Sequence, residues 1–379
     1  MQSDTKYRMK KIKKIIVVAG EESGDMYAKN IIDKLSKRGD IKFYGMGSTH
    51  MNNTNAEILV NSSELSVMGF FEIIKIYPKL KSALNMMKNS IATIKPDLLI
   101  LIDYQEFNMK LARYAKNKGI KVLFYISPQV WAWRENRIRN IKKSVDEMAV
   151  IFPFEKNYYE NLGINATYVG HPLIDNDLYK KKYQNNKEYI GFFPGSRLNE
   201  VKKHIPIIKN IIEKLHQKYP LEKFLISCSN NINKEIFIKN FPDKKHIQFV
   251  SSNNIYKTID MCKAAVAASG TITLQIALKK IPMCVFYKLS NLTYFIAKFL
   301  VKTKYVSLVN IVLNKYAVKE FIQGDATANN LISEIENLIN KDNYKNKILD
   351  DYKILENKLL NDKSKENIYN LIERLLLKN

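Results

Sequence analysis

Residues 14–35 read KIIVVAGEESGDMYAKNIIDKL. An unbroken apolar run gives way to a short loop holding Gly20 and Gly24, and then to a helical segment. Such a run reads as a strand buried on both faces, with Ser23 or Asp25 placed to cap the helix behind it. This is how an α/β domain begins. The loop lacks the G-x-G-x-x-G spacing of a dinucleotide site and the Lys-Ser/Thr of a P-loop. Three uses stay open: a phosphate cradle, a sugar pocket or a plain turn.

Outward from this unit the same alternation repeats. IKFYGMG, ILVNSS, DLLILID, KVLFYIS and DEMAVIF read as further strands, with ATYVG as a possible edge, and FNMKLARYAKNKG is a helix ended by Gly119. The pattern pauses near His171, passes a stretch rich in Asn, Lys and Tyr, and restarts with YIGFFPGSR, KFLISCS, IQFVSS, AAVAASG and MCVFYK. Strands alternating with helices predict parallel, doubly wound sheets covered on both faces. The expectation is α/β: two Rossmann-like domains facing a cleft, at residues 1–172 and 173–327. C-terminal helices follow over 328–379, with Leu331, Ile335, Leu338 and Ile339 at helical spacing.

Composition narrows the class. The three cysteines, Cys228, Cys262 and Cys284, form no C-x-x-C pair, so neither a disulfide scaffold nor a zinc site is expected. A reducing cytoplasm fits. No run reaches the roughly 18 apolar residues of a membrane span, and the basic N-terminus leads into a strand rather than a signal-peptide core. The net charge of +24 is either a basic face for an anionic membrane or a lysine-rich habit spread over solvated helices. No RNA-binding aromatic motif or recognition-helix pattern accompanies it, so nucleic acid is not expected as a partner.

Ligands of open α/β sheets sit beyond the carboxyl ends of the strands. Three such loops carry chemistry. In DLLILIDYQEFN, Asp103 falls where the strand stops, with Glu106 and Asn108 after it. A carboxylate there can take a proton from a substrate hydroxyl; it also reads as a helix cap. In GFFPGSRLNEV, Gly195 turns the chain, Ser196 can cap the next helix and Arg197 sits in its first turn. A cation at a helix N-terminus opposes the dipole unless an anion stands in front of it; a surface arginine in a structural turn is the plainer reading. In AAVAASGTITLQ, Ser269, Gly270 and Thr271 lead into another helix, a natural diphosphate seat. Gln275 can reach a ribose or simply face solvent. The five histidines are scattered and no D-x-D pair lies in a suitable loop, so no metal and no cofactor are expected. Leaving-group charge then falls to Arg197 and helix dipoles.

Together these segments resemble the lipid-A-disaccharide synthase family over nearly the whole chain. The likeness runs through AGEESGD (19–25), VMGFFEII (67–74), KPDLLILIDYQEFN (95–108), ISPQVWAWRENRI (126–138), IFPFE (151–155), YVGHPLID (168–175), FPGSR (193–197), ASGTITLQ (268–275), PMCVFYK (282–288), LVKTKYVSLVN (300–310) and VKEFIQ (318–323). SPQVWAWR followed by GHP is its most specific part. The resemblance implies a GT-B architecture and an inverting transfer. A diacylated glucosamine passes from UDP to the 6-hydroxyl of diacylglucosamine 1-phosphate, leaving UDP and a β linkage. It implies Asp103 as general base and Arg197 as partner of the diphosphate. Gly195, Ser196, Ser269, Gly270, Thr271, Gln275 and Asn310 would bind UDP. Glu22, Ser23, Gly24, Asp25, Asn108, Trp133, Arg134 and His171 would line the acceptor side, although Asp25 reads equally as a cap. The glycine loop is then the sugar pocket.

Three departures stand out. Gln275 replaces the family's usual Glu, D-A-P-D-F-N becomes residues 103–108 DYQEFN, and L-P-N becomes Leu308, Val309 and Asn310. They leave the base and the phosphate arginine in place. The family's lipids reside in the inner leaflet, so Met68, Phe70, Phe71 and Ile74, with lysines beside them, read as an element resting on the anionic inner membrane surface. An ordinary core helix is the other reading. The resemblance also implies a homodimer exchanging C-terminal helices, where intrachain packing serves equally. Two rival functions differ in class: another UDP-sugar lipid glycosyltransferase of the peptidoglycan type, which SPQVWAWR speaks against, and a catalytically idle membrane module.

Overall fold

The computed structural model describes residues 12–65, 70–127, 137–175, 177–183, 186–230, 232–241, 245–290, 294–295, 303–360 and 365–377. Two compact units divide them: residues up to Gly170 with the last helix, and those from His171 to Leu360.

The first unit is built on seven parallel strands, β1 (Lys13–Ala19), β2 (Ile41–Gly47), β3 (Glu57–Asn61), β4 (Leu98–Ile102), β5 (Lys121–Tyr125), β6 (Glu147–Val150) and β7 (Ala166–Tyr168). Their order is β3-β2-β1-β4-β5-β6-β7. The inner strands β1 and β4 are apolar without alternation because helices cover both faces, and Ile15 to Ala19 and Leu98 to Ile102 have no exposed surface. Helices α1 (Glu22–Leu35), α2 (Thr49–Asn52), α3 (Phe70–Ile94), α4 (Gln105–Asn117), α5 (Ile138–Ser144) and α6 (Pro153–Asn161) connect them. Helix α3 presents Ala83, Met87 and Ile91 to the core at helical spacing, and Tyr77 stays exposed.

The second unit holds β8 (Tyr189–Phe193), β9 (Lys223–Cys228), β10 (Ile247–Ser251), β11 (Cys262–Ala268), β12 (Met283–Tyr287) and β13 (Glu320–Ile322), in the order β10-β9-β8-β11-β12-β13. Helices α7 (Leu198–Lys218), α8 (Thr271–Leu278), α9 (Leu308–Leu313), α10 (Ala328–Asn340) and α11 (Asp342–Leu360) belong to it. In α10 the predicted Leu331, Ile335 and Leu338 are buried.

The C-terminal segment therefore serves both units. Its last helix, α12 (Ile368–Leu377), returns to the first one. There Lys121 Nζ donates to the Leu375 carbonyl at 3.0 Å, Arg38 pairs with Glu373 at 2.6 Å, and the Glu366 amide donates to the Tyr168 carbonyl at 2.8 Å.

In each sheet the strand order reverses once, between β1 and β4 and between β8 and β11. Adjacent strands whose connections leave in opposite directions open a crevice at their carboxyl ends, which is where such folds bind ligands. The loops at these points are those singled out from the sequence.

Candidate active site

At the first switch point β4 ends in an unusual turn. Asp103 and Tyr104 both take left-handed backbone, φ 47° and 44°, at successive non-glycine positions. Each such residue costs about 1–2 kcal/mol. Tyr104, not Asp103, is the residue preceding helix α4, and its side chain makes no cap hydrogen bond. Two contacts hold the turn. The fully buried Asn108 donates through Nδ2 to the carbonyls of Ile102 at 3.2 Å and Asp103 at 2.7 Å. The Tyr104 ring lies over Gly20, where a β-carbon would stand 2.3 Å from the ring carbons. Gly20 thus admits an aromatic ring of its own chain. Asp103 itself is half-buried.

The neighbouring strand end is strained as well, with Ile126 at φ 64°, a rare conformation for a β-branched residue. Behind it Ser127 Oγ donates to Glu155 Oε1 at 2.7 Å, and Glu155 Oε2 accepts from the amides of Ile151 and Phe152. Glu106 is exposed and ion-paired with Arg137 at the head of α4.

The glycine loop divides its polar residues. Helix α1 starts at Glu22, so Ser23 and Asp25 lie inside its first turn rather than capping it. Glu22 and Ser23 are exposed, and Gly24 is buried in ordinary contact with Ile102. Asp25 is fully buried and accepts from the Ser48, His50 and Met51 amides and from Ser48 Oγ, at 2.7–3.3 Å. Its carboxylate closes the start of α2.

At the second switch point Gly195 takes the positive φ of 107°. Arg197, in extended backbone, immediately precedes α7, so neither the Ser196 cap nor the first-turn position of Arg197 is found. The Arg197 side chain is 71% exposed and pairs with Glu200 at 2.9 Å. Glu200 also accepts from Tyr287 Oη at 2.7 Å. Ser269 Oγ donates to the Val306 carbonyl at 2.7 Å, Gly270 precedes α8, Thr271 opens it exposed, and Gln275 is half-buried one turn in. Two helix N-termini and a guanidinium thus lie at the carboxyl ends of adjacent strands, a set that suits a diphosphate.

The family model described as lipid-A-disaccharide synthetase matches residues 15–372. The lipid-A-disaccharide synthase of Geobacter metallireducens is 37% identical over 85% of this chain and 87% of its own. The chain belongs to the lipid-A-disaccharide synthase family. Among solved structures, UDP-GlcNAc 2-epimerase from Neisseria meningitidis, bound to UDP-GlcNAc, superposes with a TM-score of 0.63 at 14% identity, covering 92% of this chain and 100% of that one. The glycotransferase of kitacinnamycin gives 0.61 at 12% identity, over 97% and 100%. These two share the fold, which is GT-B. Family membership makes the chain a glycosyltransferase and disfavours the peptidoglycan-type alternative.

Other expected lipid-A-disaccharide synthase site residues fall differently. Asn310 is fully buried: Nδ2 donates to the Val318 carbonyl and Glu320, both at 2.8 Å, and Oδ1 accepts from the Ala317 and Val318 amides. Glu320 also accepts from the Val306 and Ser307 amides. Asn310 therefore ties a loop together. His171 is buried, its Nδ1 accepts from the Leu173 amide at 3.2 Å, and burial lowers its pKa to about 3, so the ring is neutral. Met68, Trp133 and Arg134 lie outside the described residues, and Phe70, Phe71 and Ile74 are described only as part of helix α3. Sequence reading passed over Tyr104, Glu155 and His204; a lone histidine among the apolar positions of α7 is the one signal that could have drawn attention.

Proposed function

We propose that this chain joins UDP-2,3-diacylglucosamine to 2,3-diacylglucosamine 1-phosphate, giving the β-1,6-linked disaccharide 1-phosphate and UDP. The observation that carries the reading is a carboxylate on a left-handed turn at one switch point and a guanidinium beside two helix N-termini at the other. Asp103 accepts the proton of the acceptor 6-hydroxyl as that oxygen attacks the anomeric carbon. The bond from that carbon to the UDP oxygen breaks on the opposite face, which inverts the centre. Arg197 and the N-termini of α7 and α8 carry the charge that builds on the diphosphate. Gly195, Ser196, Ser269, Gly270, Thr271 and Gln275 hold the nucleotide, and Glu22, Ser23, Gly24 and His171 line the acceptor side.

UDP release by the purified protein should depend on the phosphorylated lipid acceptor and persist in EDTA. It should fall by about 10²–10⁴-fold in Asp103→Ala. Release unchanged in that variant removes the base assignment, and release with an undecaprenyl acceptor instead assigns a different enzyme.

Substrates with acyl chains place the enzyme at a bilayer. No described helix is long and apolar enough to cross one. Residues 66–76 combine Met68, Phe70, Phe71 and Ile74 with Lys75, and Tyr77 is exposed in the helix beyond them, which supports peripheral attachment to an anionic inner-membrane face. Cosedimentation with anionic vesicles and none with neutral ones is expected. A homodimer that exchanges α12 would reuse the contacts of Leu375, Glu373 and Glu366 described above.

A further inference from the structure

Resting on the assignment of Arg197 and residues 269–271 to UDP, we propose that His204 is the positioning residue of the donor seat. It sets the spacing between the Arg197 loop and the end of β12. His204 lies within α7 and has no exposed surface. The Lys288 amide donates to its Nε2 at 3.1 Å. An amide N–H can only donate, so Nε2 carries no proton and Nδ1 does. That Nδ1–H donates to the Pro194 carbonyl at 2.8 Å. The ring is wedged against Phe286 and Tyr287, with centroids 4.6 and 5.5 Å away.

The two bonds reach loops that follow β8 and β12, and β11 lies between those strands. His204 therefore ties together the residues that follow the two strands flanking β11, the strand that leads into Ser269 and Gly270. Pro194 is three residues before Arg197, and Gly195, at φ 107°, would bring a β-carbon within 2.9 Å of Glu200. The Pro194 carbonyl and the Arg197 backbone thus belong to one short turn packed against Glu200, the ion-pair partner of Arg197.

The device works only with a neutral ring. Protonation adds an Nε2–H pointing at the Lys288 N–H, two donors face to face. Burial lowers the His204 pKa, opposed by the Pro194 bond and Glu200 and assisted by Lys203. Tyr287 and Lys288 face the ring from β12 and the residue after it, and Arg197 stands at the head of its own helix. The bridge therefore persists at neutral pH and opens in acid.

Three substitutions separate its parts. His204→Leu fills the space and removes both bonds, His204→Asn can keep the donor at the Nδ1 position, and His204→Gln can keep the acceptor at Nε2. Calorimetry with UDP and steady-state kinetics provide the readouts. In His204→Leu, UDP affinity should fall about tenfold, or 1.4 kcal/mol, and the donor KM should rise in step. The acceptor KM should stay within about threefold, and the Asn and Gln variants should fall between. On acidification wild type should lose more UDP affinity than His204→Leu, a difference free of the nucleotide's own titration. A folded Leu variant with wild-type affinity overturns the proposal; should it not fold, Asn and Gln variants with wild-type affinity and acid response do so. Unchanged UDP affinity in Arg197→Ala would instead overturn the donor assignment itself.

Discussion

The turns after β4 and β8 each lie at the switch point of their own sheet, yet they are built on opposite principles. After β4 two non-glycine residues are forced into left-handed backbone, and a buried amide and an aromatic ring over Gly20 hold them. After β8 a glycine takes the positive φ, and the functional side chain projects 71% exposed from relaxed backbone. The difference fits the chemistry proposed for each turn. A general base must lie within hydrogen-bond reach of one hydroxyl, so strain is tolerated to fix it. A diphosphate departs during the reaction, and an arginine on a long stem can follow it. Around Arg197 rigidity resides in the layer beneath, in Glu200 and His204.

The contrast can be broken or sharpened by substitution. The largest effect is expected at Asp103, where Asp103→Asn keeps the shape, removes the base and should lower kcat by about 10²–10⁴-fold with little change in Tm. At the other turn Arg197→Ala should cost roughly 10²-fold in kcat/KM, and Arg197→Lys should restore part of it, since an ammonium lacks the fork that bridges two phosphate oxygens. Equal activity of Lys and Arg at this position would argue against bidentate contact.

Next come the supports of the strained turn. Asn108→Ala leaves the Ile102 and Asp103 carbonyls without their side-chain donor and should destabilise by about 1–3 kcal/mol, visible in urea titration together with reduced kcat. Gly20→Ala should lower kcat and stability together by displacing the Tyr104 ring, whereas Gly39→Ala, with nothing near its β-carbon position, should act only through its φ of 72°.

The smallest effect is a slope. His171 has a folded pKa of about 3, below its usual value. Between about pH 6.5 and pH 3 the unfolded chain binds a proton that the folded one refuses, so this stabilisation is complete above about pH 6.5 and lost as pH falls. Unfolding free energy should decline by up to roughly 1.4 kcal/mol per pH unit in that window, with His204 acting in the same direction. Urea titrations at about pH 7 and pH 5 should show the decline shrink in His171→Gln; an unchanged slope would exclude His171 as its source.

The parallel sheets and the loops that follow their strands were legible because buried parallel strands are uninterrupted apolar runs, and ligand loops follow strand ends in this fold class. β13 was not, since residues 320–322 are three half-buried positions with no pattern of their own. Polar residues were harder still. Asp25 and Asn310 fall in segments that look ligand-facing in sequence, yet Asp25 accepts from amides at the start of α2 and Asn310 from the Ala317 and Val318 amides. Local sequence carries no trace of a donor more than twenty residues away, as with Ser48 and Asp25. His204 fails for the same reason in reverse: its helix reads as core packing, and only the Pro194 and Lys288 bonds give it a task.

The division of labour between the two turns is tested most directly by UDP affinity in Asp103→Asn and Arg197→Ala, measured beside turnover. The account predicts wild-type UDP affinity with turnover lowered by about 10²–10⁴-fold in the first, and weakened UDP binding in the second. Weakened binding in Asp103→Asn together with undiminished binding in Arg197→Ala would contradict it.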